Sequence, residues 1–206
     1  MKIAIISGSH RPSGQSGRIA DFLASRVESL KTGAQTYVLK LTHDMLPLWD
    51  ESMWGQEGQA KEAYAPIAKE LQSCDAAIVI APEYNGTAPA ALKNFFHYAS
   101  GSDLGHKAGL LVGVSGSING AYPIAEMRSH SSKNCKICYM PDHLVVRHAA
   151  EVLKDDVKDD FKEDDAYMRE RIDYTLNVFF EYAEALNKVR ESEVVKNTPQ
   201  KYAFGQ

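Results

Sequence analysis

Two short segments carry side chains able to grip a small anionic cofactor. The first, Gly8-Ser9-His10-Arg11-Pro12-Ser13-Gly14-Gln15-Ser16, follows the apolar run Lys2–Ser7. It supplies hydroxyls, an amide and a guanidinium just where a helical pattern begins, and a helix N-terminus offers unpaired N–H groups and a partial positive charge to a phosphate. Arg11 adds a charged fork for phosphate oxygens. The second, Pro82-Glu83-Tyr84-Asn85-Gly86, follows the apolar run Asp75–Ala81. Pro82 fixes its own φ, Asn85 offers both donor and acceptor, and the turn exposes backbone amides to a planar heterocycle. Tyr84 either stacks on such a ring or packs against the turn, and Glu83 is expected to be solvated or paired.

A third segment, Ser115-Gly116-Ser117-Ile118-Asn119-Gly120, contains two glycines that allow close backbone approach. It is either a wall of the same site or a plain strand-to-helix turn. The first segment lacks Gly-x-Gly-x-x-Gly, and no Gly-Lys-Ser/Thr occurs, so a phosphomonoester suits it better than a pyrophosphate or triphosphate. A phosphate at one loop and a planar heterocycle at the other describe the two ends of flavin mononucleotide (FMN).

Strand-like runs alternate with helical patterns along the chain, the signature of a parallel sheet covered on both faces. Strands are expected at residues 2–7, 36–41, 75–81, 107–114 and around 144–147. Helices are expected at about 16–31, 59–72, 88–98, 121–132 and 166–190. Ile19, Leu23, Val27 and Leu30 set the helical spacing of the first, and Thr32-Gly33 stops it. The pattern fits an α/β, flavodoxin-like fold, a five-stranded parallel sheet of order 2-1-3-4-5, whose ligands sit beyond the strand C-termini at the switch between strands 1 and 3. Residues 1–190 form the expected domain and 191–206 a polar tail, whose Tyr202 and Phe204 could reach a neighbouring subunit. The stretch from His43 to Gly58, with Pro47 and two tryptophans, reads as a long loop.

The chain has 206 residues, 44% of them hydrophobic and 24% charged, ample for one buried core. A net charge of −4 argues against nucleic acid. No run approaches the ~20 apolar residues of a membrane span, and the first apolar run is too short for a signal peptide. Three cysteines make no disulfide framework, so a reducing cytoplasm is expected.

Other constellations carry less. Cys135-x-x-Cys138 lacks a second ligand pair, so no metal is expected, and a half-buried pair is the simpler reading. His97, His106 and His130 stand isolated in the sequence. The acidic stretch 154–165 has lysines at 154, 158 and 162, suggesting a solvated helical face with internal ion pairs.

Gly8-Ser9-x-Arg11 with Ser16, together with Pro82-Glu83-Tyr84-Asn85-Gly86 and Leu92-Lys93-Asn94, resembles the NADPH-dependent FMN reductase family, over about residues 1–150. That family includes quinone, chromate and azo-dye reductases. The resemblance implies non-covalent FMN and NADPH (or NADH) as co-substrate. It implies the phosphate at Ser9, Arg11, Gln15 and Ser16, the ring against Pro82, Glu83, Tyr84, Asn85 and Gly86, and the loop of Ser115 and Gly116 alongside. It also implies a small-molecule electron acceptor and a homodimer or homotetramer. The competing readings are a non-catalytic flavodoxin-like electron carrier and a redox-sensing FMN module.

Overall fold

The computed structural model describes residues 1–42, 46–55 and 57–203. His43 and Phe204, singled out above, lie outside the described residues. Five strands, β1 (Lys2–Ser7), β2 (Gln35–Lys40), β3 (Ala76–Pro82), β4 (Ala108–Val114) and β5 (Cys138–Val146), form one parallel sheet of order β2-β1-β3-β4-β5. The flavodoxin-like order expected from the sequence is therefore the observed one. Every residue of β3 and β4 is buried, as two covered faces require.

Alternation along the strands splits the interior in two. Ile3, Ile5, Ile78 and Ile80 face α1 (Gln15–Leu30) and α6 (Lys162–Glu191). Ala4, Ile6, Ala77 and Val79 face α2 (Gln59–Gln72), α3 (Ala90–Tyr98) and α5 (Tyr122–His130). Each wholly buried isoleucine contributes ~2–3 kcal/mol. Two short helices, α4 (Gly101–Leu104) and α7 (Glu193–Lys196), complete the set.

Two elements differ from the sequence reading. β5 starts six residues earlier than expected, at Cys138, and runs through Pro141. It is an edge strand, where a missing N–H is tolerated, and a register shift between Gly109 and Leu111 absorbs the irregularity. The acidic stretch is not one helix: α6 begins only at Lys162. Lys158 pairs back to Glu151 at 2.9 Å, and Lys162 pairs with Asp159 at 2.6 Å, three residues away rather than four. Asp165 is 8% exposed and receives the Leu153 N–H at 2.5 Å and Arg169 at 2.7 Å.

At the opposite end of the sheet from the strand C-termini, Lys107 is buried and donates from Nζ to Leu71 O at 2.6 Å. Burial, then repulsion from Arg190, pushes its ammonium down to about 8.

Candidate functional site

Parallel strands deliver all their C-terminal loops to one edge, so the three segments of interest meet there. The first loop closes on itself before α1 starts. Gly8 donates to Ile80 O at 2.9 Å, and a Cβ on Gly8 would lie 2.8 Å from that oxygen, which fixes glycine where the loop crosses β3. Gly14 is the N-cap of α1 and provides no capping side chain. The first-turn N–H groups of Gln15 and Ser16 therefore have no acceptor among the described residues. Ser16 is 2% exposed, and its hydroxyl also lacks a partner among the described residues. Arg11 is exposed, with no ion pair among them.

Ser9 is placed differently from a free phosphate donor. It is buried, its Oγ lies 2.7 Å from the Tyr84 hydroxyl, and it accepts the Arg11 N–H at 3.2 Å. Tyr84 also meets the His10 ring edge-on at 5.5 Å. Tyr84 thus joins the first loop to the second. Gln15 accepts the Arg18 Nε–H on its amide oxygen at 2.8 Å.

The second loop is a tight turn. Tyr84 and Thr87 exchange backbone bonds of 2.9 and 3.0 Å around Asn85 at φ 52° and Gly86 at φ 77°. Two consecutive left-handed residues make a type I′ turn, for which Asn-Gly is the preferred pair. Neither the Asn85 nor the Gly86 N–H has an acceptor among the described residues. Pro82 is buried as the last residue of β3. Behind the turn, Glu126 accepts the Ala88 N–H at 2.6 Å and pairs with Lys93 at 2.5 Å. Burial pushes the Glu126 carboxyl up, but Lys93 and the Ala88 N–H outweigh it and hold the group below its usual range.

Glu83 reaches the third loop, its Oε2 accepting the Gly120 N–H at 2.5 Å. Within that loop Ser115 Oγ accepts the Ser117 N–H at 3.1 Å. Gly116 is exposed, and a Cβ there would meet nothing within 4 Å, so this backbone is approachable from outside. The loop rests on the turn after β5: Ala149 N–H donates to Ser115 O at 3.0 Å and His148 N–H to Ser117 O at 3.1 Å.

Beside the first loop lies a hollow of about 470 Å³, lined by His10, Leu41, Leu46, Pro47, Leu48 and Ala90 among others. Asn94 pins its outer wall, accepting from Trp49 N–H at 2.9 Å and donating to Pro47 O at 2.8 Å. Cys135 is buried and Cys138 half-buried, both reduced, and burial pushes the Cys135 thiol up to about 11. That is the reverse of a reactive thiol. Among the described residues no group of three His, Cys, Asp or Glu is placed to hold a metal.

Sequence reasoning passed over Arg18, which lies 131–135 residues in sequence from three of its acceptors. One signal was available: a cation in a helix's first turns opposes the macrodipole and calls for a local partner.

Comparison with known proteins bears on the family and the fold. Residues 1–151 match the family model described as NADPH-dependent FMN reductase. An NADPH azoreductase of Bacillus sp. (strain OY1-2) is 30% identical over 117 residues, covering 56% of this chain and 60% of that protein. An FMN-dependent NADH:quinone oxidoreductase of Paraburkholderia phymatum is 31% identical, covering 50% and 59%. The match thus spans less than two thirds of the length of these curated relatives. The solved structure of a flavoenzyme NAD(P)H:(acceptor) oxidoreductase from Paracoccus denitrificans superposes with a TM-score of 0.66 at 19% identity, over 89% of this chain and 97% of that one. At that identity the likeness bears on the fold.

Proposed function

The chain belongs to the NADPH-dependent FMN reductase family, and from that premise we propose that it is an NAD(P)H-dependent oxidoreductase holding FMN at the sheet edge. Its co-substrate is NADPH or NADH, and its acceptor a small molecule such as a quinone, a free flavin, chromate or an azo compound. When bound, FMN supplies the centre that takes a hydride from the nicotinamide and passes electrons onward.

The observation that carries the reading is the set of unpaired donors at two separate loops. At one end stand the first-turn N–H groups of Gln15 and Ser16, the Ser16 hydroxyl and the Arg11 guanidinium. They suit a phosphate, and Gly14 leaves room that a side chain would fill, since its Cβ would sit 2.6 Å from Ser9 Oγ. At the other end the unpaired N–H groups of Asn85 and Gly86 and the open backbone at Gly116 suit the hydrogen-bonding rim of the heterocycle.

These residues bind and orient; none is assigned a proton-transfer role. Donors held rigidly by the turn favour negative charge on the ring without reorganising. Ser9, Tyr84 and Glu83 set the spacing of the loops. The hollow beside His10 gives a planar acceptor an apolar surface to lie on.

Residues 1–190 are taken as the cofactor-binding unit with 191–206 as its tail; Tyr202 O accepts from Lys136 Nζ at 2.9 Å. A homodimer or homotetramer in a reducing cytoplasm is supported by three free cysteines and by the exposed Leu48, Trp54, Ile118 and Tyr122. Among the described residues no helix is long and apolar enough to cross a membrane.

The test is anaerobic mixing of the purified chain with FMN and NADPH or NADH. The reading expects catalytic bleaching of the yellow flavin band. Binding without bleaching would leave the electron-carrier alternative instead.

A further inference from the structure

The loops at the sheet edge are linked in a circuit. Ser9 and Tyr84 join the first loop to the second, and Glu83 and Gly120 join the second to the third. Ala149 and His148 hold the third loop from the turn after β5. That turn must then be tied back to α1, or the circuit stays open beside the phosphate loop.

Arg18 makes the tie. Its Nη1 donates to Leu153 O at 2.5 Å, and its Nη2 to Ala149 O at 2.5 Å and Val152 O at 2.9 Å. Its Nε donates to Gln15 Oε1 at 2.8 Å. One guanidinium thus spans three carbonyls of a strained turn and the first residue of α1. The turn includes His148 at φ 46° and Leu153 at φ 57°, left-handed positions unfavourable for both side chains. Asp165 braces the same turn by accepting the Leu153 N–H. The planar fork suits Arg and not Lys, whose ammonium is a point donor on a flexible stem.

We infer that Arg18 is a positioning residue for the flavin site: it touches neither end of the cofactor but sets the third loop's distance from the phosphate loop. This rests on the FMN reading above. Its consequence is distinctive. A residue that contacts the phosphate distinguishes FMN from riboflavin, which lacks that group. A residue that places the ring-binding loop weakens both flavins equally.

The experiment titrates FMN and riboflavin, by flavin fluorescence, into the full chain and its Arg18→Gln, Arg18→Lys and Arg11→Ala variants. Amide exchange at Ser115, Ser117, His148 and Ala149 is followed without flavin. The expected result is a loss of roughly 10-fold for both flavins in Arg18→Gln, the scale of lost charged hydrogen bonds. Arg18→Lys should recover part of it, and exchange at the four amides should quicken in both variants. Arg11→Ala should lose FMN alone. A loss confined to FMN in the Arg18 variants would overturn the inference by making Arg18 a phosphate contact. Unchanged affinities and exchange would overturn it outright. Should Arg18→Gln fail to fold, Arg18→Lys is judged by the same criteria. Should the unaltered chain bind no flavin, the FMN reading fails separately, and quickened exchange still supports the Arg18 linkage while unaltered exchange refutes it.

Discussion

Glu83 and Gly120 stand 37 residues apart in sequence, yet a carboxylate oxygen of one accepts the backbone N–H of the other at 2.5 Å. Gly120 adopts φ 108°, a conformation open to glycine, and its carbonyl crowds the Cβ position of Gly113. The pair holds the ends of two adjacent strands at a fixed spacing. Replacing Glu83 by Ala frees the third loop and should lower FMN affinity by ~1–2 kcal/mol. Glu83→Gln, which keeps an acceptor oxygen, should lose less. Equal affinity across all three proteins, measured by fluorescence titration, would detach this contact from the site.

Arg11 carries an exposed guanidinium beside the α1 N-terminus. Arg11→Ala should weaken FMN by ~1.5–3 kcal/mol, the range for a hydrogen bond to a charged group. Thermal stability without flavin should stay within about 0.5 kcal/mol, as for an ordinary surface change. An unaltered dissociation constant removes Arg11 from the phosphate end.

Asn85 separates backbone from side chain. At φ 52° it occupies a conformation glycine reaches freely, so Asn85→Gly should preserve the turn and the melting temperature. Affinity should nonetheless fall by about 1 kcal/mol, because the amide group is lost. Asn85→Val, β-branched in a left-handed position, should cost at least ~1–2 kcal/mol of stability. Asn85→Gly binding FMN as tightly as the parent would leave the backbone N–H groups as the sole contacts here.

Lys107 gives a prediction in pH. In the folded chain its ammonium titrates near 8, against 10.5 for a free lysine. Between those values the unfolded chain carries a proton the folded chain has released. Unfolding therefore takes up a proton, and this group's contribution to stability rises with pH through that window, by up to roughly 3 kcal/mol. Buried thiols and tyrosines, whose folded values are raised, act in the opposite sense at higher pH, so the comparison is made against Lys107→Met. Urea unfolding from pH 7 to 10 should show the parent gaining stability relative to the variant. A constant difference would contradict a buried, charged Lys107 at neutral pH.

Much of this was legible from sequence because it is local. Ile78, Val79 and Ile80 form an apolar run too short for a helix between breakers, and Asn85-Gly86 names its own turn type. The chain order of runs and helices then fixed the sheet edge where the loops meet. What escaped depends on contacts between distant residues. Arg18 takes its meaning from carbonyls of residues 149–153, and a carbonyl leaves no trace in a side-chain pattern. Ser9 was legible as a polar loop residue, but not its engagement by Tyr84, 75 residues on. Pro141 hid the start of β5, since proline counts against a strand unless the strand is known to lie at an edge.

The claim on which everything else depends is that this sheet edge binds FMN. Titrating FMN with the purified chain, while following flavin fluorescence and heat, decides it. Saturable binding of one FMN per chain is expected, accompanied by a change in flavin fluorescence. Fluorescence that stays at the free-flavin level, with no heat of binding at any protein concentration, would contradict it.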